Sequence, residues 1–162
     1  MYRLQARGNR VIGVISDTHG LLRPEVAEAF AGVRLILHAG DIGTADVVNE
    51  LRSIAPVVAV RGNNDKGAWA RAIPETEIAQ VGDVRIYMVH DIKDIDFNPE
   101  DRRIQIVISG HSHRPSVEGR NGVLFMNPGS AGPRRFKLPT TVGRLTIHGS
   151  AMNGEIIDLF HR

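Results

Sequence analysis

Five apolar, strand-like runs in this sequence each end directly in polar side chains of a particular kind: carboxylates, imidazoles or an amide. The runs are VIGVIS before Asp17-Thr18-His19, LILHAG before Asp41, VVAVRG before Asn63-Asn64-Asp65, IYMV before His90, and IVISG before His111-Ser112-His113. In open α/β folds, the crevice outside the carboxyl ends of the strands gathers loops from distant parts of the chain. The pattern therefore predicts that these side chains meet at one edge of a sheet.

Length and composition favour one soluble domain covering residues 1–162. Hydrophobic residues make up 42% of the chain and charged residues 23%, which is typical of a globular protein. Cysteine is absent, which excludes disulfides, thiolate catalysis and cysteine-ligated zinc and is compatible with a reducing cytoplasm. No apolar run approaches the roughly 18–20 residues that span a bilayer, and MYRLQARGNR lacks the apolar core of a signal peptide. We therefore expect a cytoplasmic protein.

The charge balance gives no strong nucleic-acid signal. The 20 basic and 18 acidic residues leave a net charge of +2, and Arg134, Arg135 and Lys137 form only a small local cluster. A nuclease acting on long nucleic acid would be expected to carry a pronounced basic stripe. The partner that we expect is a small molecule, although edge strands in the hairpins could pair two copies into a homo-oligomer.

The order of elements predicts an α/β fold with mixed sheets packed face to face. Buried runs at residues 11–16, 33–37 and 57–60 alternate with helical stretches that begin at Pro24 and at Thr44, an expected N-cap. The second half has a buried run at residues 104–109 and three expected hairpin turns, at Gly82–Asp83, Asn121–Gly122 and Asn153–Gly154.

Each of the polar residues at the strand ends has an ordinary structural explanation when it is taken alone. Asp17 and His19 could cap a helix, Asp41 and Asn63 could be turn residues, and His90 could be a buried structural histidine. All five strand ends, however, carry such residues, and independent accidents of that kind multiply to a small probability. A set of oxygen and imidazole donors without thiols suits two close divalent cations better than a structural zinc.

The ordered set Asp-x-His, Gly-Asp, Gly-Asn-x-Asp, strand-terminal His and Gly-His-x-His resembles the calcineurin-like metallophosphoesterase family. The Asn127-Pro128-Gly129-Ser130 turn and the short chain are similar to its small prokaryotic phosphodiesterase branch. The resemblance extends from Val11 to about Ser130. It implies two mixed β-sheets packed as a sandwich flanked by helices, with metal ions at the strand ends.

The resemblance also implies a set of ligands and an activity. It assigns Asp17, His19 and His113 to a first metal, Asn63, His90 and His111 to a second, and Asp41 to a bridge between them. Two divalent cations roughly 3.5–4 Å apart can share a hydroxide that attacks phosphorus in line. The expected protein is a dinuclear metal-dependent phosphodiesterase acting on small phosphate diesters. Two Mn²⁺ ions are the first choice, with iron, nickel or zinc as alternatives.

Three residues raise questions beyond the ligand set. Many larger relatives have a histidine, thought to protonate the leaving group, where this chain has Asn64. We therefore expect slower turnover of alkyl esters than of activated aryl diesters. Asp65 either fixes the loop that holds Asn63 or hydrogen-bonds a ligand histidine. The candidate catalytic residues are Asp41, Asn64 and Asp65.

Relatives usually have glycine at the position of Asp91, so the local turn differs there or Asp91 orients His90 or His111.

A scaffold is the alternative from a different functional class. A retromer subunit of similar fold has an altered metal site and works by binding partners, whereas this chain retains candidates for all seven ligand positions.

Outside those positions, His38 is expected to be a hydrogen-bonded structural residue. Trp69 is expected to anchor the core or to line the pocket, and His148 and His161 are expected at the surface.

Overall fold

The computed structural model describes residues 1–5 and 8–160, which form eleven strands, three α-helices and two 3-10 helices. The strands are β1 Tyr2–Leu4, β2 Arg10–Ile15, β3 Leu35–His38, β4 Val57–Ala59, β5 Thr76–Val81, β6 Val84–Val89, β7 Ile106–Ile108, β8 Ser116–Arg120, β9 Val123–Asn127, β10 Thr141–His148 and β11 Ala151–Asp158. The α-helices are α1 Glu25–Ala29, α2 Ala45–Arg52 and α3 Ala68–Arg71, and the 3-10 helices are Ile92–Asp94 and Pro99–Arg102.

The strands form two mixed sheets, as the sequence predicts. The five-stranded sheet has the order β11-β10-β2-β3-β4, in which β2, β3 and β4 run parallel and β10 is antiparallel to β2. The six-stranded sheet has the order β1-β5-β6-β7-β9-β8, in which β6, β7 and β9 run parallel. The parallel strands are short, continuous apolar segments, because both of their faces are covered.

Three hydrophobic clusters explain how these layers are held. The largest cluster lies between the sheets and combines Val14 and Leu37 of one with Ile86 and Met126 of the other. A second cluster packs α1 and α2, through residues such as Phe30, against the outer face of the five-stranded sheet. The outer face of the six-stranded sheet has no α-helix on it within the described residues. It is covered instead by the segment containing the 3-10 helices.

The first two expected hairpins are confirmed, but the third turn is wrong. Strands β10 and β11 do form a hairpin, yet His148 pairs with Ala151, so that the turn falls at Gly149–Ser150. Gly154 lies inside β11 opposite Leu145. A Cβ atom at Gly154 would lie 3.3 Å from both Met126 and Val117 of the facing sheet. This glycine therefore provides room between the sheets rather than a turn.

Three smaller features also differ from the sequence-based expectations. Strand β1 was not predicted, and it pairs in parallel with β5 at the edge of its sheet. The loop around Trp69 contains the one-turn helix α3, and Trp69 packs against the helix-side cluster, in agreement with the core alternative. Thr44 does stand at the N-cap of α2, but its side chain makes no capping hydrogen bond.

Among the described residues, no helix is long and apolar enough to cross a membrane. His148 is exposed, as expected, whereas His161 lies outside the described residues.

Candidate metal centre

The strand ends of both sheets meet at one edge of the sandwich and bring the predicted residues together. Asp17 and His19 follow β2, Asp41 follows β3 and Asn63 follows β4 in the five-stranded sheet. His90 follows β6, and His111 and His113 follow β7, in the six-stranded sheet. The loops extend the parallel ladder, because the amide of Asp17 donates to Gly40 O (3.0 Å) and that of His19 donates to Asp41 O (2.9 Å).

Five of these residues have left-handed backbone conformations. The φ angles are +56° at Asp17, +48° at His19, +53° at Asp41, +71° at His111 and +62° at His113. Positive φ is uncommon outside glycine and costs energy unless the surrounding structure enforces it. The alternation at Asp17 and His19, and again at His111 and His113, turns both side chains of each pair toward the same edge.

Asp17, His19 and His113 form the first of two compact groups. One candidate ligand atom from each residue lies within 4.8 Å of the others. The Oδ1 atom of Asp17 is 3.3 Å from His113 Nε2 and 3.8 Å from His19 Nε2. The other carboxylate oxygen of Asp17 accepts hydrogen bonds from the Ser16 hydroxyl (2.7 Å) and the His111 amide (3.1 Å). One oxygen is thus fixed by the protein, and Oδ1 faces the imidazoles.

Asp41, His90 and His111 form the second group, whose candidate ligand atoms also lie within 4.8 Å of one another. His90 Nε2 is 3.2 Å from Asp41 Oδ2. The other ring nitrogen of His90, Nδ1, lies 2.8 Å from the carbonyl oxygen of Ala39. Because a carbonyl only accepts, Nδ1 must carry the proton in the neutral ring, and Nε2 is left with a lone pair directed into the site.

The two groups are contiguous. His19 Nε2 lies 3.8 Å from Asp17 and 3.9 Å from Asp41, while His90 Nε2 lies 3.9 Å from Asp17 and 3.2 Å from Asp41. Asp17 and Asp41 therefore each lie near imidazoles of both groups, and the position of Asp41 is compatible with the predicted bridging role.

The unsatisfied polar atoms at this edge fit a bound cation. Asp17 Oδ1, His19 Nε2 and His90 Nε2 are buried and have no hydrogen-bond partner among the described residues. Without a ligand, Asp17 Oδ1 and His90 Nε2 have only the imidazole–carboxylate contacts of 3.3 and 3.2 Å given above, whereas a cation would satisfy the buried atoms together. Carboxylate oxygens and imidazole nitrogens are suitable donors for manganese, iron, nickel or zinc.

The carboxylates remain ionised in this environment. Burial raises the pKa of Asp17, but the His113 imidazole, the Ser16 hydroxyl and His90 outweigh it, so that the pKa lies below 3.8. Burial opposes ionisation of Asp41 too, yet His90 and the Asn64 amide lower its pKa to about 2. Burial alone would lower the pKa of His90, but Asp41 and Asp17 raise it above 6.5. The centre therefore presents two negative charges to a cation at neutral pH.

The loop after β4 supports Asp41 as well as placing Asn63. Asn63 is exposed and lines a cavity of about 530 Å³ together with His90 and His111. Asn64 donates two hydrogen bonds to Asp41, from its backbone amide to Oδ1 (3.0 Å) and from its side chain to Oδ2 (3.1 Å). A Cβ atom at Gly62 would collide with the Asp41 carboxylate, so only glycine lets this loop approach so closely.

Asp65 is buried beneath the centre and binds backbone amides only. Its Oδ1 accepts from Gly43 (2.9 Å), and its Oδ2 accepts from Ile42 (3.1 Å) and Gly62 (2.8 Å). These bonds tie the Asp41 loop to the Asn63 loop. Of the two alternatives for Asp65, the geometry thus favours loop fixation over a hydrogen bond to a ligand histidine.

Asp91 stands beside His111. Its Oδ2 lies 3.6 Å from His111 Nε2, and its Oδ1 accepts the amide of Lys93 (3.0 Å), which caps the first 3-10 helix. With a φ of −110°, Asp91 adopts an extended conformation that does not need glycine. The local turn therefore differs from one that requires glycine, and a carboxylate accompanies the most exposed histidine of the set.

Two supporting residues were not identified from the sequence. Ser16 holds Asp17 as described above, and Asn127 donates its side-chain amide to Gly110 O (3.0 Å) and Ser112 Oγ (3.1 Å), bracing the loop that carries His111 and His113. An asparagine directly before Pro128-Gly129 was the available signal, but nothing local reveals which loop it would reach.

His38 is fully buried and does not belong to either group. Its Nδ1 accepts the Gly40 amide (3.1 Å), so its Nε2 carries the proton and donates to the Thr18 hydroxyl (3.0 Å). Burial lowers the pKa of His38 to about 4. These contacts agree with a structural role.

Comparison with known proteins identifies the family. Residues 11–150 match the calcineurin-like phosphoesterase superfamily domain, so the chain belongs to that superfamily. A probable metallophosphoesterase from Methanothermobacter thermautotrophicus is 34% identical over 159 residues, covering 91% of this chain and 91% of that relative. A phosphodiesterase from Methanocaldococcus jannaschii is 27% identical over 148 residues, covering 80% of this chain and 89% of that relative.

A solved structure supports the fold. Vacuolar Protein Sorting 29 from Cryptosporidium parvum superposes with a TM-score of 0.75 over 93% of this chain and 97% of that structure, at 19% identity. At this low sequence identity, the similarity supports the fold alone. The predicted family and fold are confirmed, and membership of the family indicates a hydrolase that binds divalent metal.

Proposed function

We propose that this protein is a dinuclear metal-dependent phosphodiesterase that hydrolyses small phosphate diesters. The observation that carries the proposal is the contiguity of the two carboxylate–imidazole groups around Asp41, with buried donor atoms left unsatisfied. Asp17, His19 and His113 would hold one cation, Asn63, His90 and His111 the other, and Asp41 both. Two bound divalent cations supply an activated water and compensate the charge of the phosphoryl oxygens.

The residues of the chain prepare this centre in three ways. Ala39 fixes the His90 tautomer, so that Nε2 faces the site. Ser16 and the His111 amide hold one oxygen of Asp17, which leaves the other oxygen available. Asn64 positions Asp41 by a hydrogen bond to the Asp41 carboxylate, and Asp65 positions Asp41 by holding the loop that contains it. Asp65 is therefore a positioning residue in this scheme rather than one that touches substrate.

The decisive experiment uses protein stripped of metal and re-supplied with single divalent cations, Mn²⁺ first. Bis-aryl phosphate, aryl monophosphate and cyclic nucleotides serve as substrates, and bound metal is counted by equilibrium dialysis. We expect two ions per chain and a preference for the diester. The Asp41→Ala variant, with an unchanged circular dichroism spectrum, should lose at least about 100-fold in rate.

The exposed turn residue Asp83 provides the matched control, because Asp83→Asn also removes one carboxylate charge. An Asp41→Ala protein that kept both its metal and its rate would refute the proposal. A wild-type protein that binds metal but hydrolyses none of the esters would instead favour a scaffold of the same fold.

The chemistry of Asn64 leads to a second expectation. An amide cannot donate a proton as an acid would, so esters with poor leaving groups should react more slowly than activated aryl diesters. The Asn64→His variant should raise the ratio of alkyl-ester to aryl-ester turnover about 10-fold or more, since general acid catalysis contributes about 10²–10⁴-fold. Asn64→Ala is the control, because it removes the side-chain hydrogen bond to Asp41 without supplying an acid. A wild-type enzyme equally fast on both ester types would contradict this reading.

We treat residues 1–162 as one catalytic domain, because strands of both sheets share one core. A cytoplasmic location, favoured by the absence of cysteine, and self-association through edge strands stay predictions.

A further inference from the structure

A second surface feature lies outside the metal centre, at the same edge of the five-stranded sheet. We define the basic–aromatic patch as Arg23, Arg134, Phe136, Lys137 and Phe160. Arg23, Arg134, Lys137 and Phe160 line a cavity of about 410 Å³. Phe136, between Arg135 and Lys137, has 88% of its surface exposed, and Phe160 has 54% exposed. The patch thus combines exposed aromatic side chains with cations, on the loop before β10 and just after β11.

Sheet register places the patch beside the metal centre. Val14, near the end of β2, pairs with Gly143, and Thr141 at the start of β10 pairs with Asp158 at the end of β11. The end of β11 and the start of β10 therefore lie at the edge from which Asp17 and His19 project. A Cβ atom at Gly132 would collide with the carbonyl oxygen of Thr18, so the loop bearing Arg134 and Lys137 leaves directly against the Asp17–His19 loop.

The cations of the patch are available to an anion. Arg134 and Lys137 are exposed, and both line the cavity. Arg23 is held in place by a hydrogen bond to Gly132 O (3.1 Å) and lies 5.0 Å over the Phe160 ring. Its Nε is buried without a hydrogen-bond partner. Asp158 also borders the cavity, and its carboxylate accepts the Phe160 amide (3.0 Å).

Phe136 is the more exposed of the two aromatic residues, because Arg23 lies over one face of the Phe160 ring. Phe136 has a φ of +56°, a conformation that is a genuine outlier for a bulky side chain. Burial does not explain this strain, because the ring is almost wholly in solvent. Phe136 lies in a turn closed by the hydrogen bond from the Leu138 amide to Arg135 O (3.2 Å), and this turn holds its ring outside the core.

We infer that the basic–aromatic patch binds single-stranded nucleic acid, with cations on its phosphates and the phenylalanines stacked on its bases. Sequence-tolerant binding of single strands uses this combination of positive charge and aromatic platforms. A purely acidic peptide would not need the exposed rings. The patch would hold a short oligonucleotide beside the metal centre, because a local cluster of cations can bind a few nucleotides without the basic stripe that a nuclease on long nucleic acid would need. This assignment rests on the proposed function.

The test separates binding from hydrolysis. Metal-free protein in EDTA is titrated into a fluorescein-labelled oligodeoxythymidine of about ten nucleotides, within the site sizes known for single-strand binders, and anisotropy is followed at several salt concentrations. Arg134→Glu/Lys137→Glu should weaken binding at least about 10-fold. It should also reduce the salt slope by about 1.4, since about 0.7 counterions are released per phosphate of a single strand. Phe136→Ala should weaken binding about 5-fold through lost stacking.

The control is Arg102→Glu/Arg120→Glu, which reverses two cations that also lie over phenylalanine rings, at 3.7 and 4.2 Å, but in the 3-10 segment and in β8 of the other sheet. It should change the affinity less than about 2-fold, allowing for the general charge effect. Manganese-dependent hydrolysis of bis-aryl phosphate should be unchanged by the patch substitutions, because this small ester does not reach the patch.

Each outcome bears on one of the two proposals. If the patch variants bind the oligonucleotide as tightly as wild type, the inference fails while the phosphodiesterase assignment stands. If the oligonucleotide binds at the patch but no ester is hydrolysed by any protein, nucleic-acid binding stands and the proposed function fails. Binding to anionic phosphatidylserine vesicles or to polyglutamate in preference to the oligonucleotide would overturn the inference.

Discussion

At the scale of single residues, the centre is built by backbone conformation as much as by side-chain chemistry. Asp17, His19, Asp41, His111 and His113 all have positive φ angles, although none of them is a glycine. Hydrogen bonds between adjacent loops, such as that from the His19 amide to Asp41 O, offset this cost. As a result, two side chains separated by one residue face the same point. Residues in a regular helix, or in a turn that caps one, would not need this arrangement.

His38 gives a residue-scale prediction about acid stability. Between pH 6.5 and about 4, the unfolded chain binds a proton at His38 and the folded protein does not. The free energy of unfolding should therefore fall as the pH decreases through this window, by about 3 kcal/mol in total. Urea unfolding of metal-free wild type and of His38→Gln at several pH values measures the difference.

The difference between the two curves reports on His38, because Asp17 and Asp41, whose pKa values are lowered, and His90, whose pKa is raised, contribute to both proteins. Parallel curves for wild type and His38→Gln would contradict the assignment.

At the scale of elements, glycines in strands set how closely the sheets approach. A Cβ atom at Gly143 of β10 would collide with the terminal methyl of Met126 in β9, which is itself almost fully buried. Gly154 of β11 makes room for Met126 from the neighbouring strand. This contact explains why the Asn153–Gly154 dipeptide lies in a strand: the packing of the facing sheet outweighs the local turn preference.

We expect Gly143→Ala to destabilise the protein by about 1–3 kcal/mol, because overpacking forces a buried side chain to move. In a Met126→Ala background the same substitution should cost less than about 1 kcal/mol, since the opposing methyl group is gone. Chemical denaturation of the four proteins completes the cycle. An equal cost in both backgrounds would show that Met126 is not the obstacle.

At the scale of the whole molecule, the proposed ligands join the two sheets. Asp17, His19, Asp41 and Asn63 come from the five-stranded sheet, and His90, His111 and His113 come from the six-stranded sheet. Cations bound here would bind only the folded chain, because unfolding separates the two sets. Metal binding should therefore stabilise the entire sandwich rather than a single loop.

Addition of Mn²⁺ to stripped protein at about 100 times its dissociation constant should raise the free energy of unfolding by about 2.7 kcal/mol for each occupied site. For a chain of this size that corresponds to a rise in Tm of about 5–10 °C. Calorimetry of wild type, Asp41→Ala and the control Asp83→Asn measures it, and only Asp41→Ala should lose most of the shift. A wild-type Tm that did not respond to any divalent cation would argue against a metal centre.

The sequence by itself predicted the family, the fold and the position of the candidate ligands at strand ends. Alternation of apolar runs, polar residues directly after them and the turn dipeptides at Gly82 and Asn121 are local signals, which can be interpreted without neighbours. Only the tertiary structure decided that Asp65 connects the Asp41 loop to the Asn63 loop, that Gly154 lies in a strand and that Arg23 lines the same cavity as Arg134. These outcomes depend on contacts between segments far apart in the chain, and local patterns carry no record of which segments will meet.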